Sequence, residues 1–123
     1  MPRTPDLIRG SLDLMILTVL DRHGPDHGYG IMRRIHDASE AVLRVEEGSL
    51  YPALHRLEQR GFLSHEWRRS ESNRRARYYE LTDEGRGKLR EDVREWTVVT
   101  GAVGRVLGTA RGVLQPTSPG LAS

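Results

Sequence analysis

The stretch Glu47–Leu63, EGSLYPALHRLEQRGFL, decides the fold, because a helical pattern in it gives way abruptly to a different period. Its apolar residues recur at the spacing of one helical face: Leu50, Leu54 and Leu57. This spacing predicts a helix from about Gly48 to Arg60. We expect Pro52 in the first turn, where its missing N–H has little effect. Gly61 fits the position after the end of the helix.

Two further helical patterns precede this stretch. The first runs from Ser11 to Arg22, with Ser11 as its N-cap, and its apolar face consists of Leu12, Met15, Ile16, Val19 and Leu20. The second runs from about Tyr29 to Ser39, and its inward face consists of Ile31, Ile35 and Ala38. Three short helices in this order predict a helix-turn-helix unit.

After Gly61 the pattern changes to alternation. Ser64–Arg68 and Ala76–Leu81 are rich in aromatic residues that favour strands, and the polar segment Arg69–Arg75 lies between them. These runs predict a two-stranded hairpin with a long basic tip. A three-helix unit followed by a hairpin is the winged helix arrangement, a mainly α fold with a small β part.

A last helix begins at Thr82, which is a typical N-cap. Apolar or small residues then alternate at spacings of four and three, as in a coiled-coil seam: Leu89, Val93, Trp96, Thr100, Val103, Leu107, Ala110 and Leu114. We therefore predict a DNA-binding domain over residues 1–81, a dimerisation helix over 82–114 and a disordered tail over 115–123. Glycines in the helix favour fraying beyond about Gly108.

The composition narrows the possible functions. Of the 19 basic residues only Lys88 is not arginine, which suits phosphate and base-edge recognition but is equally explained by an arginine-rich proteome. There is no cysteine, and the N-terminal sequence MPRTPDLIRG lacks the apolar core of a signal peptide. No apolar run approaches the length of a membrane span. We expect a soluble cytoplasmic protein.

Three stretches together resemble the PadR family of transcriptional regulators: Gly28–Ile31 (GYGI), Glu47–Leu63, and Arg75–Gly85 (RARYYELTDEG). The resemblance covers residues 8–100, and the single last helix is similar to that of the small subfamily with one dimerisation helix. It implies a dimeric DNA-binding protein that is usually a repressor. Many members of the family are released from DNA by a small, often aromatic or cationic, ligand.

Two segments carry the candidate DNA contacts. On the third helix they are Ser49, Tyr51, Pro52, His55 and Arg56; on the hairpin they are Arg74, Arg75 and Arg77. Hydroxyl groups of Ser49 and Tyr51 suit phosphates, whereas His55 and Arg56 can reach base edges. The hairpin arginines suit phosphates or a narrow minor groove. Tyr51 could instead pack on the second helix, and Arg77 could serve structure as well as phosphate binding.

The last helix carries the predicted dimer interface and ligand pocket. Its candidate residues, with two from the first helix, are Leu12, Met15, Leu89, Val93, Trp96, Thr100 and Val103. Trp96 fits two roles, as a large residue of the dimer core or as a wall of a pocket for a planar aromatic compound.

Other classes of site find no support. The five histidines show no metal-ligand spacing, and no nucleophile elbow or glycine-rich phosphate loop is present. We therefore predict no metal, no cofactor and no enzyme. The prediction is a sequence-specific DNA-binding regulator, a ligand-responsive repressor that binds a pseudo-palindromic operator as a homodimer. The alternative is a winged helix module that binds another protein.

Overall fold

The computed structural model describes residues 4–109 and confirms the winged helix order. Its elements are α1 (Thr4–His23), α2 (Gly28–Ala38), α3 (Glu47–Gln59), β1 (Leu63–Arg69), β2 (Arg75–Leu81) and α4 (Asp83–Leu107). Backbone contacts divide the chain into two units, one up to Arg90 and one from Glu91 onward. The first unit holds the helix-turn-helix and the hairpin, which we call the wing.

The core of the first unit draws on every element. Its buried apolar side chains are Ile16, Leu17, Val19, Leu20, Ile31, Ile35, Leu50, Ala53, Leu54, Leu57, Leu63, Tyr79, Leu81 and Leu89. The predicted stripe of α3 is confirmed. Leu17 is fully buried although the predicted stripe of α1 omits it, because α2, α3 and β2 all contact α1 and bury a wider arc. Ala38, predicted to face inward, is exposed at the end of α2.

Helix ends differ from the sequence prediction in two places. Helix α1 begins at Thr4, so Ser11 lies inside it and is not the N-cap. Pro52 is the sixth residue of α3 and not part of the first turn, because the helix begins directly after the extended residue Glu46. The Gly48 carbonyl therefore loses its helical donor at position 52. Both Gly48 and Pro52 are exposed, so water can reach that carbonyl.

The wing is an antiparallel pair that runs from Leu63 opposite Leu81 to Arg69 opposite Arg75. Only its base is buried in the core, and the outer part is exposed. On the other edge of β2, Asp26 and Tyr79 exchange two backbone hydrogen bonds, with N···O distances of 3.1 and 2.9 Å. This bridge ties the segment before α2 to the wing.

Both ends of α4 have clear local causes. The Thr82 hydroxyl accepts a hydrogen bond from the Gly85 N–H at 3.0 Å, which confirms Thr82 as the N-cap. The helix ends at Leu107 because Gly108 adopts a left-handed φ of 78° and the Thr109 N–H bonds the Gly104 carbonyl. Ala110, Leu114 and the predicted tail over 115–123 lie outside the described residues.

Candidate nucleic-acid interface

The two glycines that open α2 permit close packing on both sides of this helix. A Cβ on Gly28 would lie 2.6 Å from the Tyr51 hydroxyl oxygen, and a Cβ on Gly30 would lie 2.2 Å from a carboxylate oxygen of Asp26. Tyr51 therefore packs on α2, as one of the two sequence interpretations proposed, and Asp26 packs under the first turn. A side chain at Gly28 would displace the Tyr51 ring, and one at Gly30 would displace the Asp26 carboxylate.

Tyr51 nevertheless stays accessible, since 45% of its surface is exposed. Partial burial, and secondly the nearby Glu47 carboxylate, raise the pKa of the Tyr51 hydroxyl. The side chain is therefore a neutral phenol at physiological pH. Such a group can donate a hydrogen bond to a phosphate oxygen.

Asp26 organises the start of α2. Its carboxylate accepts hydrogen bonds from the His27 N–H at 2.8 Å and from Nε of Arg34 at 2.9 Å. His27 in turn caps the helix, because its Nδ1 accepts from the Gly30 N–H at 3.2 Å. These bonds, with the backbone bridge to Tyr79, hold α2 in a fixed place beside the wing.

The predicted α3 contacts fall into two groups. Ser49, Pro52 and His55 are exposed, as is much of Tyr51. Arg56 is different, because one of its guanidinium nitrogens lies 2.9 Å from a carboxylate oxygen of Asp13 on α1.

Burial raises the pKa of Asp13, and the Arg56 guanidinium opposes that rise. Asp13 and Arg56 stand 43 positions apart in the chain, so no local sequence pattern predicts this pair.

Two arginines of the wing share one aromatic ring. The guanidinium carbons of Arg75 and Arg77 lie 5.0 and 5.3 Å from the centroid of the Trp67 ring. A side-chain hydrogen bond with Tyr79 raises the pKa of Arg77, which is a permanent cation in any case. Trp67 was not among the predicted site residues, because only the strand register places it directly opposite Arg77.

The wing, α2 and Tyr51 together line an open cleft of about 1110 Å³, which we call the basic cleft. Its charged residues are Arg33, Arg34, Arg74, Arg75, Arg77, Asp26, Asp37 and Glu71. Five cations thus face three acids, and one of the acids, Asp26, is already paired with Arg34. Of the predicted DNA contacts, the cleft brings together Tyr51 and the three wing arginines. Arg33 was not among the predicted contacts, because no local sequence pattern shows that its face of α2 lies toward the wing.

The predicted dimer residues divide between the two units. In the first unit, Leu89 is buried in the core, and Leu12 and Met15 are partly buried against it. In the second, the predicted residues Val93, Trp96 and Val103 remain exposed to 44%, 37% and 41%, and the next seam residue, Leu107, is exposed to 69%. Thr100 is half-buried, and its hydroxyl donates to the Trp96 carbonyl at 2.7 Å. The second unit therefore presents a row of apolar side chains to solvent.

The described residues contain neither a metal-site cluster nor a membrane-spanning helix. Among the described side chains, those of residues 11–109, no three histidine, aspartate or glutamate residues gather as a possible metal site. Within residues 4–109 no helix has both the length and the apolar character needed to cross a bilayer.

The chain is similar to known regulators along most of its length. The model of the transcriptional regulator PadR-like family matches residues 16–91. A transcriptional regulator from Clostridium thermocellum is 30% identical with a TM-score of 0.73, over 81% of this chain and 96% of that one. A PadR family regulator from Eggerthella lenta is 36% identical with a TM-score of 0.69, over 85% and 88%. An uncharacterised protein of Lysinibacillus sphaericus is 31% identical over 97 residues, which are 76% of this chain and 85% of that protein.

Proposed function

The chain belongs to the PadR-like family of transcriptional regulators, and from this premise we propose that it is a sequence-specific repressor that binds DNA as a homodimer and is released by a small ligand. The matched family is one of regulators and not of enzymes. We propose that the protein acts in the cytoplasm. The basic cleft beside the exposed face of α3 is the observation that carries the DNA-binding part.

The proposed docking follows the geometry of the helix-turn-helix class. Helix α3 enters the major groove, where His55 and the free nitrogens of Arg56 read base edges and Ser49 and Tyr51 bind phosphates. Pro52 lies on the same exposed face and contributes van der Waals contact. The wing lies along the flanking backbone, with the arginines of the basic cleft against phosphates.

Dimerisation is proposed through the exposed apolar row of the second unit. Val93, Trp96 and Val103 expose apolar surface that a second copy of the same helix would cover, as in a coiled coil. A dimer with two-fold symmetry binds two half-sites about 34–36 Å apart, which predicts a pseudo-palindromic operator. Thr100 lies within the same seam.

The effector is proposed to bind against Trp96. The indole ring and that of the second copy offer two flat apolar walls, which suit a planar aromatic or cationic molecule. Ligand binding would lower DNA affinity only if the ligand bound the DNA-free arrangement of the dimer more tightly. The participation of Leu12, Met15 and Leu89 in this pocket stays a prediction.

The test is fluorescence anisotropy with the promoter upstream of the protein's own coding sequence and a scrambled duplex, across a salt series. We expect the promoter to bind at least about 10³-fold more tightly than the scramble at physiological salt. Affinity for both duplexes should fall steeply with salt, because phosphate contacts release counterions.

Charge reversal in the wing tests where the backbone contacts lie. The variant Arg74→Glu/Arg75→Glu should weaken binding to both duplexes alike and lower the salt slope by about 2. The matched control, Arg22→Glu/Arg90→Glu, makes the same change of net charge at exposed residues outside the basic cleft. Equal losses in the two variants would refute the wing assignment. Equal or absent binding of the wild type to both duplexes would favour the alternative, a module that binds another protein.

A further inference from the structure

Trp67, Arg75 and Arg77 form a cluster on one face of the wing, which we call the Arg–Trp–Arg cluster. Trp67 lies directly opposite Arg77 in the register, and Arg75 is its diagonal neighbour two residues along β2. Both guanidinium groups lie over the indole ring, at 5.0 and 5.3 Å from its centroid. Half of the Trp67 surface remains exposed, although the residue is large and apolar.

The arrangement brings two like charges close to a single ring. Two guanidinium groups repel each other, and the negative faces of an indole ring offset that repulsion better than those of any other side chain. Within residues 11–109, whose side chains the structure describes, no carboxylate lies at salt-bridge distance from Arg75 or Arg77. The indole ring therefore contacts both charges, while Arg77 is also hydrogen-bonded to Tyr79 and attracted by the more distant Glu58 carboxylate.

The opposite face of the wing provides a contrast. There Arg68 lies over the Tyr78 ring at 5.0 Å, but its guanidinium is also bonded to the Glu66 carboxylate at 2.6 and 2.8 Å. The positive charge of Arg68 is thus neutralised by the Glu66 carboxylate in an ion pair at the surface. The Arg–Trp–Arg cluster keeps its positive charge and lines the basic cleft through its arginines.

Stacking leaves the hydrogen-bonding capacity of an arginine intact. The guanidinium contacts an aromatic ring through its face, whereas its five N–H donors lie in its plane and stay available to phosphate oxygens. A stacked arginine has also lost much of its rotational freedom before DNA arrives. The ordering penalty of binding is therefore smaller than for an arginine that moves freely in solvent.

We propose that Trp67 is a positioning residue of the DNA interface, which holds the guanidinium groups of Arg75 and Arg77 in the orientation that receives the phosphates of a bound duplex. The inference rests on the proposed DNA-binding function. Trp67 acts through the two arginines and makes no contact of its own with the bases.

The test combines two substitutions of Trp67 with a double-mutant cycle. Trp67→Leu keeps an apolar side chain without a π face, and Trp67→Phe keeps a π face. Each is measured by anisotropy against the promoter duplex across a salt series, in the wild type and in Arg75→Ala/Arg77→Ala. Arg68→Ala is the matched control, since it removes a stacked arginine from the other face. Thermal melting followed by circular dichroism establishes that each variant folds, and Trp67→Thr replaces the leucine variant if that one does not.

We expect Trp67→Leu to lower promoter affinity about tenfold, because exposed cation–π contacts are each worth a few-fold in an equilibrium constant. Its salt slope should stay that of the wild type, since both charges remain. Trp67→Phe should bind within about threefold of the wild type. In Arg75→Ala/Arg77→Ala the slope should fall by about 2, and adding Trp67→Leu should have no further effect.

Two results would overturn the inference while wild-type binding stands. One is unchanged promoter affinity in folded Trp67→Leu. The other is an equal loss from Trp67→Leu with and without the two arginines, which would mean that the ring itself contacts DNA. A wild type that binds no duplex at all would overturn the proposed function, and this inference with it.

Discussion

Replacing Gly85 by alanine should destabilise the protein, whereas the same replacement at Gly87, two residues further along α4, should stabilise it. A Cβ on Gly85 would lie 2.2 Å from the backbone carbonyl oxygen of Phe62 and 3.0 Å from a methyl group of Leu81. A Cβ on Gly87 would have the far end of Arg90, at 3.9 Å, as its nearest neighbour. Both residues lie in the same helix, so the helix preference for alanine applies to each of them.

The expected sizes follow from these contacts. Alanine is favoured over glycine within a helix by about 1 kcal/mol, which is the full effect expected at Gly87. At Gly85 the clash with backbone costs about 1–3 kcal/mol. Moving the Phe62 carbonyl also weakens the hydrogen bond that it accepts from the Thr82 N–H at 3.1 Å, worth about 1 kcal/mol. The two variants should therefore differ by about 2–4 kcal/mol in the free energy of unfolding.

Urea unfolding followed by circular dichroism measures this difference directly. Wild type and both variants are compared at one protein concentration, because the apparent stability of the proposed dimer would depend on concentration. The melting temperatures should differ by roughly 10 °C or more, in the same order. Two variants of equal stability, or a stabilised Gly85→Ala, would show that the approach of α4 to the Phe62 carbonyl is not tight.

Three further predictions concern a titration, an assembly and a packing contact. Burial raises the pKa of the Asp13 carboxyl in the folded protein above its ordinary value of 3.8. The protonated carboxyl therefore contributes stability to the fold below pH 3.8, and this contribution is lost as the pH rises through the folded pKa. Asp13→Asn should therefore lose less stability than the wild type between pH 4 and 7 in urea titrations, and identical profiles would contradict this. Val93→Asp/Val103→Asp should sediment as a monomer, whereas a surviving dimer would refute the seam. Gly28→Ala should displace the Tyr51 ring and weaken promoter binding, with a change in stability within about 1 kcal/mol because the clashing atoms are the far end of a half-exposed side chain; wild-type promoter affinity would argue against the contact.

The features that the sequence predicted well are those with local causes. The buried stripe of α3 follows from a spacing within thirteen residues, and the role of Thr82 follows from a hydroxyl at the start of a helical run. The exposed arginines of the wing follow from a polar segment between two strand patterns. In each case a few neighbouring residues carry the whole physical reason.

The features that were missed depend on contacts between distant segments. Arg56 meets Asp13 only because α1 crosses α3, and Trp67 meets Arg77 only in one of several possible strand registers. Leu17 is buried because three elements surround α1. The position of Pro52 was misjudged for another reason, since the start of α3 depends on the extended backbone of Glu46, which has no strong sequence signal.

The length of the wing can change only by whole cross-strand residue pairs. Because side chains alternate between the two faces of a hairpin, deleting one cross-strand pair, such as Glu66 with Tyr78, would turn the Arg–Trp–Arg cluster to the opposite face. Deleting two pairs would restore the face and shorten the wing by about 6.8 Å. That distance equals about two base-pair steps along the axis of a DNA duplex. For the DNA contact proposed above, the footprint of such a wing would therefore change in units of about two base pairs and not continuously.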